Sequence, residues 1–437
     1  MTLRVDPEFV AAMAARKNAP PAPQYPEDDV ETVRAFADER YSKMSRRLPQ
    51  HDEVVVEEVD AAGVPARLYT PPGARDGAGL VVYLHGGGMW RCNLDTHDPV
   101  VRRYAAESGV RFLSVDYRMA PEFPYPQSQE DGYTALSWVV ENAASLGVDP
   151  KRLAIAGDSA GGGLAAGIAL MTRDRGEIQL ALQVLIYPML DDRTTMDTEL
   201  AQYATWTYED NAVGWRMLLG ETAGTDAVAA YAAPARAEYF GGLPPTYIEV
   251  GVLDIYRDED IEYGQRLASA GVPLELHVHD GVTHAFELIN PNAAVSQRAF
   301  ADRARVFGTL AEPVEAQESE DTDAPADIDS QAPRPEGSTA GGRPDPDDDG
   351  HDHDGDELVG DVQQSEPSGP TVEGVVGDEP SGGEPGPEDD AGQQQVHEET
   401  AAVEVEGDET GTGEHPARDE THDDGHENRA SGVLRIP

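Results

Sequence analysis

Short apolar runs alternate with longer amphipathic segments through the first 310 residues of the chain. The apolar runs are bounded by turn residues, as is typical of strands buried on both faces. They lie at 80–84, 111–115, 152–156, 182–187, 246–250 and 274–278. The amphipathic segments predict helices at 98–108, 129–146, 160–173, 259–270 and 294–310. The alternation predicts an α/β fold with a mostly parallel central sheet and helices on both faces.

Three stretches depart from this alternation. Residues 53–59 and 64–70 flank an Ala-Gly pair and alternate polar with apolar positions, which predicts a hairpin. Residues 1–50 are helix-prone, and residues 191–240 interrupt the strand-like segments with several Trp and Tyr residues. An insertion at the strand ends is where a lid would lie. A helical excursion that serves stability alone is the alternative for 191–240.

The charge divides the chain into a body and a tail. The formal net charge is −51, and residues 311–437 supply −33 of it through 38 acidic residues and five arginines. This tail has no Phe, Trp or Tyr, so it cannot bury enough apolar surface to offset chain entropy. We therefore expect a folded domain over residues 51–310 and a disordered acidic tail over 311–437. The role of the tail stays open: binding a basic protein and keeping the chain in solution both fit its composition.

Composition excludes several classes of protein. The acidity argues against nucleic-acid binding, because phosphates demand a basic face. One cysteine, Cys92, excludes an intramolecular disulfide framework and a cysteine-rich zinc site. No apolar run approaches the 20 or so residues that cross a bilayer. Residues 1–20 lack the organisation of a secretory signal, so we expect a cytoplasmic protein.

The strongest motif is Gly157-Asp158-Ser159-Ala160-Gly161, which lies between a predicted strand and a predicted helix. G-x-S-x-G at such a turn is typical of a nucleophile elbow, where small flanking residues admit a strained serine backbone. A second motif, His85-Gly86-Gly87-Gly88, follows the strand at 80–84. Its glycines can turn N–H groups toward a bound oxygen. With the N–H of Ala160, this loop is predicted to form an oxyanion hole.

A serine nucleophile needs a base and an acid, which follow it along the chain in the order acid, then histidine. His284 lies in a loop just after the strand at 274–278 and is the predicted base, whereas His277 and His279 fall within or at the end of that strand. Asp254 follows the strand at 246–250 and is the predicted acid. Asp258 is the alternative acid, although its place in the next helix favours a capping role.

With these residues placed, the body resembles the hormone-sensitive-lipase-like esterases of the α/β-hydrolase superfamily over roughly residues 50–310. The resemblance rests on five motifs in order: His85-Gly-Gly-Gly88, Asp116-Tyr-Arg-Met-Ala-Pro-Glu122, Gly157-Asp-Ser-Ala-Gly161, Asp254-Ile-Tyr-Arg-Asp-Glu259 and His284-Ala-Phe286. Two positions depart from the family pattern: Ile255 replaces a frequent proline, and Met119 replaces a frequent leucine.

The resemblance implies an α/β-hydrolase fold and hydrolysis of carboxylic esters by Ser159, His284 and Asp254, without a metal or an organic cofactor. It also implies an oxyanion hole from Gly87, Gly88 and Ala160, with Gly86 shaping the loop. The family carries a helical cap built from an N-terminal segment and an insertion before the acid, which matches residues 1–50 and 191–240. By analogy, a homodimer through the last helix and strand is possible.

We expect small esters with short or medium acyl chains as substrates, because an aromatic-rich cap can enclose a compact apolar pocket. The candidate pocket walls are Met89, Trp90, Tyr203, Trp206 and Trp215, for which packing between cap and core is the alternative role. Two other functions stay open. The same triad serves amide, carbamate or lactone hydrolysis, and the fold also suits a non-catalytic small-molecule receptor.

Overall fold

A computed structural model describes residues 3–26 and 28–312 in full, and residues 432–436 as a backbone strand. The described strands are β1 Val55–Ala61, β2 Val64–Thr70, β3 Ala78–Leu84, β4 Arg111–Val115, β5 Val148–Asp158, β6 Leu180–Ile186, β7 Thr246–Gly251, β8 Leu274–His279 and β9 Gly432–Ile436. The described α-helices are α1 Val10–Lys17, α2 Val30–Ser45, α3 Leu94–Ser108, α4 Gln127–Glu141, α5 Ala143–Leu146, α6 Ala160–Arg175, α7 Thr198–Ala201, α8 Tyr208–Leu219, α9 Arg257–Ser269, α10 Phe286–Ile289 and α11 Ala294–Gly308. Short 3-10 turns occupy Gly220–Thr222 and Pro234–Arg236.

All the strands form one sheet in the order β1-β2-β4-β3-β5-β6-β7-β8-β9. The strands from β4 through β8 pair in parallel, whereas β1 with β2, β2 with β4 and β8 with β9 pair antiparallel. The chain crosses from β4 to β5 past β3, so the order of the strands reverses there and the sheet is doubly wound. Because the central strands are parallel, their carboxyl ends share one edge. The predicted mostly parallel sheet and N-terminal hairpin are confirmed.

Helices cover both faces of the sheet, as the buried strands require. Alternate side chains of β3 enter two different apolar layers. Leu80, Val82 and Leu84 pack in the layer of α4, α6 and α9, whereas Val81 and Tyr83 pack in the layer of α3 and α11. Because β3 is buried along its whole length, a continuous apolar run is the pattern that it must carry.

The last strand lies within the tail that the sequence predicts to be disordered. Of residues 313–437 the structure describes Gly432–Ile436, which pairs antiparallel with β8 at the edge of the sheet. The sequence of this strand, Gly-Val-Leu-Arg-Ile, is apolar within an otherwise acidic tail, and an average over the tail hides it. The predicted homodimer through the last strand stays a prediction. The other expectations for the tail lie outside the described residues.

Residues 1–50 and 191–240 contact each other and the loop after β3. Arg16 Nη1 donates to the Thr205 carbonyl at 2.7 Å, and the Tyr203 hydroxyl donates to the Leu3 carbonyl at 3.4 Å. On α2, Arg34 donates through Nε to the Trp90 carbonyl at 2.7 Å. None of the described helices has the length and apolarity of a membrane span.

Candidate active site

Ser159 occupies the turn between β5 and α6 in a strained conformation, with φ +54° and ψ −120°. A Cβ on Gly157 would lie 2.3 Å from the backbone of Gly161, and a Cβ on Gly161 would lie 1.9 Å from the Leu84 carbonyl oxygen. Both positions therefore require glycine. Met189 and Gly163 donate backbone hydrogen bonds to the Ser159 carbonyl at 2.9 and 3.0 Å, which hold the strained turn in place.

The structure brings Ser159, His284 and Asp254 into one hydrogen-bonded line. The Ser159 Oγ lies 2.9 Å from His284 Nε2, and His284 Nδ1 lies 2.8 Å from Asp254 Oδ2. All three side chains are buried. The second carboxylate oxygen of Asp254 accepts from the Tyr256 backbone N–H at 3.1 Å, which fixes its rotation. With Nδ1 donating to the carboxylate, Nε2 is the acceptor that faces the serine.

His284 is held through its ring and through its backbone carbonyl. Tyr187 and Tyr256 pack edge-on against it, with ring centroids 4.6 and 5.2 Å away. The Thr205 hydroxyl, from the segment 191–240, donates to the His284 carbonyl at 2.8 Å. The imidazole is thus oriented by the core and by the insertion together, which is the support that a precisely placed base needs.

The loop after β3 approaches this line with free N–H groups. Gly87 and Gly88 have φ values of +121° and +66°, which favour glycine. Their N–H groups and that of Ala160 find no hydrogen-bond partner among the described residues. The N–H of Gly86 instead donates to Asp158 Oδ1 at 3.0 Å. Gly86 is therefore an anchor of the loop, whereas Gly87, Gly88 and Ala160 retain donors for a ligand oxygen.

Asp158 is a site residue that the sequence reasoning did not single out. Its Oδ1 accepts from the Tyr83 hydroxyl at 2.6 Å as well as from Gly86, and its Oδ2 faces His97 Nε2 at 3.4 Å. Burial raises the pKa of Asp158, but His97 and the Tyr83 hydrogen bond outweigh it and lower the pKa to about 2. The sequence signal that could have identified Asp158 is its position between Gly157 and Ser159 in the elbow.

Two other acids, the half-buried Glu259 and the buried Asp260, lie at the start of α9. Glu259 accepts from the Leu190 N–H at 2.8 Å and from the Asp191 N–H at 3.3 Å, and burial raises its pKa to about 8. Asp260 is fully buried, and neither of its carboxylate oxygens has a hydrogen-bond partner among the described residues. Burial, and then the charges of Glu259 and Asp254, raise the pKa of Asp260 well above its ordinary value.

The alternative acid and the other late histidines lie elsewhere. The Asp258 side chain is exposed and pairs with Arg257 at 2.7 Å. His277 Nε2 lies 2.7 Å from Glu275 Oε1, and His279 Nε2 lies 3.5 Å from a carboxylate oxygen of the buried Glu249. Both histidines therefore face acids of β7 and β8, and not Ser159 or Asp254.

A cavity of about 280 Å³ adjoins His284 and is lined by α1, α2 and the segment after α7. Of the five predicted wall residues, Trp206 lines it. Met89, Trp90 and Trp215 are instead buried in the apolar core, and the Tyr203 hydroxyl bonds to the N-terminal segment. Their aromatic or apolar character suits both a pocket wall and a packed interior, and their role as pocket walls stays a prediction.

Comparisons with known proteins agree with this geometry. A family model described as the alpha/beta hydrolase fold matches residues 81–288. Carboxylesterase NlhH of Mycobacterium tuberculosis is 41% identical over 238 residues, covering 53% of this chain and 74% of that protein. Esterase LipI of the same organism is 38% identical over 268 residues, covering 60% of this chain and 82% of that protein.

Among solved structures, a bacterial heroin esterase superposes with a TM-score of 0.64 at 35% identity, covering 70% of this chain and 98% of that one. The residues that the family model matches include the elbow, the acid and the histidine loop. The family resemblance read from the motifs is thereby confirmed. The chain belongs to the hormone-sensitive-lipase-like esterase family of the α/β-hydrolase superfamily, and it is a serine ester hydrolase.

Proposed function

We propose that the enzyme cleaves esters with short or medium acyl chains by two-step acyl transfer through Ser159, His284 and Asp254. The observation that carries this proposal is the hydrogen-bonded line from Ser159 Oγ through the imidazole to Asp254. A serine next to a histidine whose other nitrogen is held by a carboxylate is the arrangement that activates an oxygen nucleophile.

In the first step, Ser159 Oγ attacks the ester carbonyl carbon while His284 Nε2 accepts the hydroxyl proton. The carbonyl oxygen becomes an oxyanion that faces the free N–H groups of Gly87, Gly88 and Ala160. One such donor is worth about 10²–10³ in rate. His284 then passes its proton to the leaving alcohol oxygen, and the ester C–O bond breaks to leave an acyl-enzyme.

In the second step, a water molecule attacks the acyl carbon while His284 accepts one of its protons. Asp254 stabilises the imidazolium that forms in both steps. Collapse of the second oxyanion breaks the bond to Ser159 Oγ, which recovers the proton from His284, and the carboxylic acid is released. The segments 1–50 and 191–240 are proposed to act as the cap over this centre. The cavity of about 280 Å³ beside His284 supports short and medium acyl chains.

The test is Ser159→Ala with a panel of 4-nitrophenyl esters from acetate to dodecanoate. We expect kcat to fall by about 10⁴ or more with the thermal unfolding midpoint preserved, because the nucleophile is lost. Ser145→Ala, at an exposed serine on α5, is the matched control and should keep full activity. A fluorophosphonate should label the wild type and the control but not Ser159→Ala. Retained turnover in Ser159→Ala, or no labelling of the wild type, would contradict the proposed mechanism.

A further inference from the structure

The cavity beside His284 is cationic in an otherwise acidic protein. Its described lining includes three arginines, Arg16, Arg40 and Arg91, against one acidic side chain, Asp210. The chain as a whole carries a net charge of −51. A lining of the opposite sign to the whole molecule is a local feature that general composition does not explain.

Two of these arginines repel each other. Burial, and then the positive charge of Arg40, lower the pKa of Arg16. Arg16 donates to the Thr205 carbonyl at 2.7 Å, so its guanidinium is held at the cavity instead of turning away. Bringing like charges together costs free energy that a bound anion would recover.

Arg91 is fixed at the cavity with an unused donor. Its guanidinium lies 4.5 Å from the Trp206 ring centre and 4.9 Å from that of Trp90, so it is held by cation–π contacts. Its Nη2 lies 3.3 Å from Asp210 Oδ1. Its Nε is buried without a hydrogen-bond partner among the described residues. A buried guanidinium N–H without a partner is a donor that a ligand can satisfy.

Trp206 links the arginine to the reacting centre. The far edge of its indole would lie 2.5 Å from a Cβ placed on Gly88, so the ring rests directly on the glycine loop. Arg91 stacks on the same ring, and His284 lines the same cavity. Trp206 therefore contacts both the glycine loop and the Arg91 guanidinium.

We infer that the preferred esters carry a carboxylate, which Arg16, Arg40 and Arg91 bind while the ester carbonyl lies at Ser159. This inference rests on the proposed function and names its substrate class. The carboxylate can belong to the acyl part or to the alcohol part of the ester. The two forms present the same anion to the arginines but place it on opposite sides of the bond that is cleaved.

The test compares esters of matched length that differ in charge. On the acyl side, mono-4-nitrophenyl adipate is compared with 4-nitrophenyl hexanoate and with the 4-nitrophenyl ester of 6-aminohexanoate. On the alcohol side, 4-carboxyphenyl hexanoate is compared with 4-carbamoylphenyl hexanoate. We expect kcat/KM to be about tenfold higher for the anionic ester of at least one pair at low salt. The preference should fall as salt screens the charges. Equal kcat/KM within both pairs would overturn the inference.

Arginine variants test whether this cavity is the source of the preference for anionic esters. Arg91→Met and Arg40→Met should each lower the ratio of kcat/KM between anionic and neutral esters, whereas Arg91→Lys should retain most of it. Arg298→Met, at an exposed arginine on α11, is the control and should leave the ratio unchanged. The ratio is read within each variant, so a general loss of activity cancels. A preference that persists in Arg91→Met and Arg40→Met would overturn the assignment. Hydrolysis of the neutral hexanoate, and its loss in Ser159→Ala, tests the proposed function separately.

Discussion

The buried acids on the two sides of the triad are held in opposite ways. At the elbow, Asp158 accepts hydrogen bonds from Tyr83 and Gly86 and faces His97, and its pKa is about 2. At the start of α9, Asp260 is also buried, but its carboxyl has no hydrogen-bond partner among the described residues, and its pKa is raised. Burial is common to both, so the donors around each carboxyl decide whether it stays charged.

This difference predicts opposite dependences of stability on pH. A lowered pKa in the folded state, as for Asp158, adds stability that is present above pH 4 and is lost as pH falls toward 2. A raised pKa, as for Glu259 and Asp260, means that the folded protein holds protons that the unfolded chain releases. Their contribution to stability therefore declines as pH rises from about 4 toward the folded-state pKa.

Asp158→Ala should give the largest effect. The buried Tyr83 hydroxyl and Gly86 N–H would lose their acceptor, which should lower the free energy of unfolding by about 3–5 kcal/mol. Because Gly86 anchors the glycine loop, we also expect kcat/KM to fall by about 10²-fold with the adjacent donors displaced. Urea unfolding and ester kinetics on the same preparations measure both.

Asp158→Asn is the sharper version of this test, because it keeps an acceptor for Tyr83 and Gly86 and removes only the charge. Its loss of stability should be smaller than that of Asp158→Ala. Asp258→Asn, at an exposed acid near the other side of the triad, is the control and should change neither quantity. Equal stability of Asp158→Ala and the wild type would show that the network is not what holds the elbow.

The sequence predicts the sheet, and it selects the serine, acid and histidine that the structure places in one hydrogen-bonded line, because both rest on local patterns. Strands buried on two faces must be continuously apolar, so β3, β4, β7 and β8 were predicted within two residues. The elbow serine and the histidine loop follow from where strands end, since catalytic groups collect at that edge. The choice of Asp254 over Asp258 also depends on chain position alone, and the structure brings Asp254 to the histidine.

Helix bounds were less accurate where capping overrides composition. α3 begins at Leu94, four residues before the predicted start, because Asn93 and Thr96 form a reciprocal capping box and the helix accommodates Pro99 within it. The predicted helix at 129–146 is two helices, α4 and α5, divided at Asn142. An Asn side chain that bonds to nearby backbone, here the Trp138 carbonyl, favours such a boundary.

The residues that line the cavity could not be predicted from the sequence, and the reason is not helix capping. An aromatic residue is needed both to line a pocket and to fill a core, so sequence does not separate Trp206 from Trp215. The arginines Arg16 and Arg91 reach one cavity from positions 75 residues apart, and only tertiary structure brings them together. Similarly, Asp158 acquires its role from Tyr83 and His97, which no local pattern connects to it.

Glu259→Gln should give the second-largest change in stability. The dependence of that change on pH should be opposite to the one expected for Asp158. The amide keeps an acceptor for the Leu190 and Asp191 N–H groups but needs no proton on folding. We expect it to raise the free energy of unfolding at pH 7 by about 1–3 kcal/mol and to flatten the decline between pH 5 and 8. Glu262→Gln, exposed on the same helix, is the matched control for urea titrations across that range. A slope equal to that of the wild type would mean that Glu259 stays ionised in the folded protein.

Asp260→Asn should give the smallest change in activity and stability. It tests, next to Asp254, the contrast between the unpartnered carboxyl of Asp260 and the hydrogen-bonded carboxylate of Asp158. Burial raises the pKa of Asp260 well above its ordinary value and so favours the neutral carboxyl beside Asp254. Its replacement by a neutral amide of the same shape should therefore change kcat/KM by less than about twofold. The decline in stability as pH rises above about 4 should become shallower than in the wild type, because the folded state no longer retains that proton. Parallel ester kinetics and urea titrations at pH 6, 7 and 8 measure the two quantities. A tenfold change in kcat/KM at pH 7 would show that Asp260 is ionised beside Asp254, and the contrast with Asp158 would then fail.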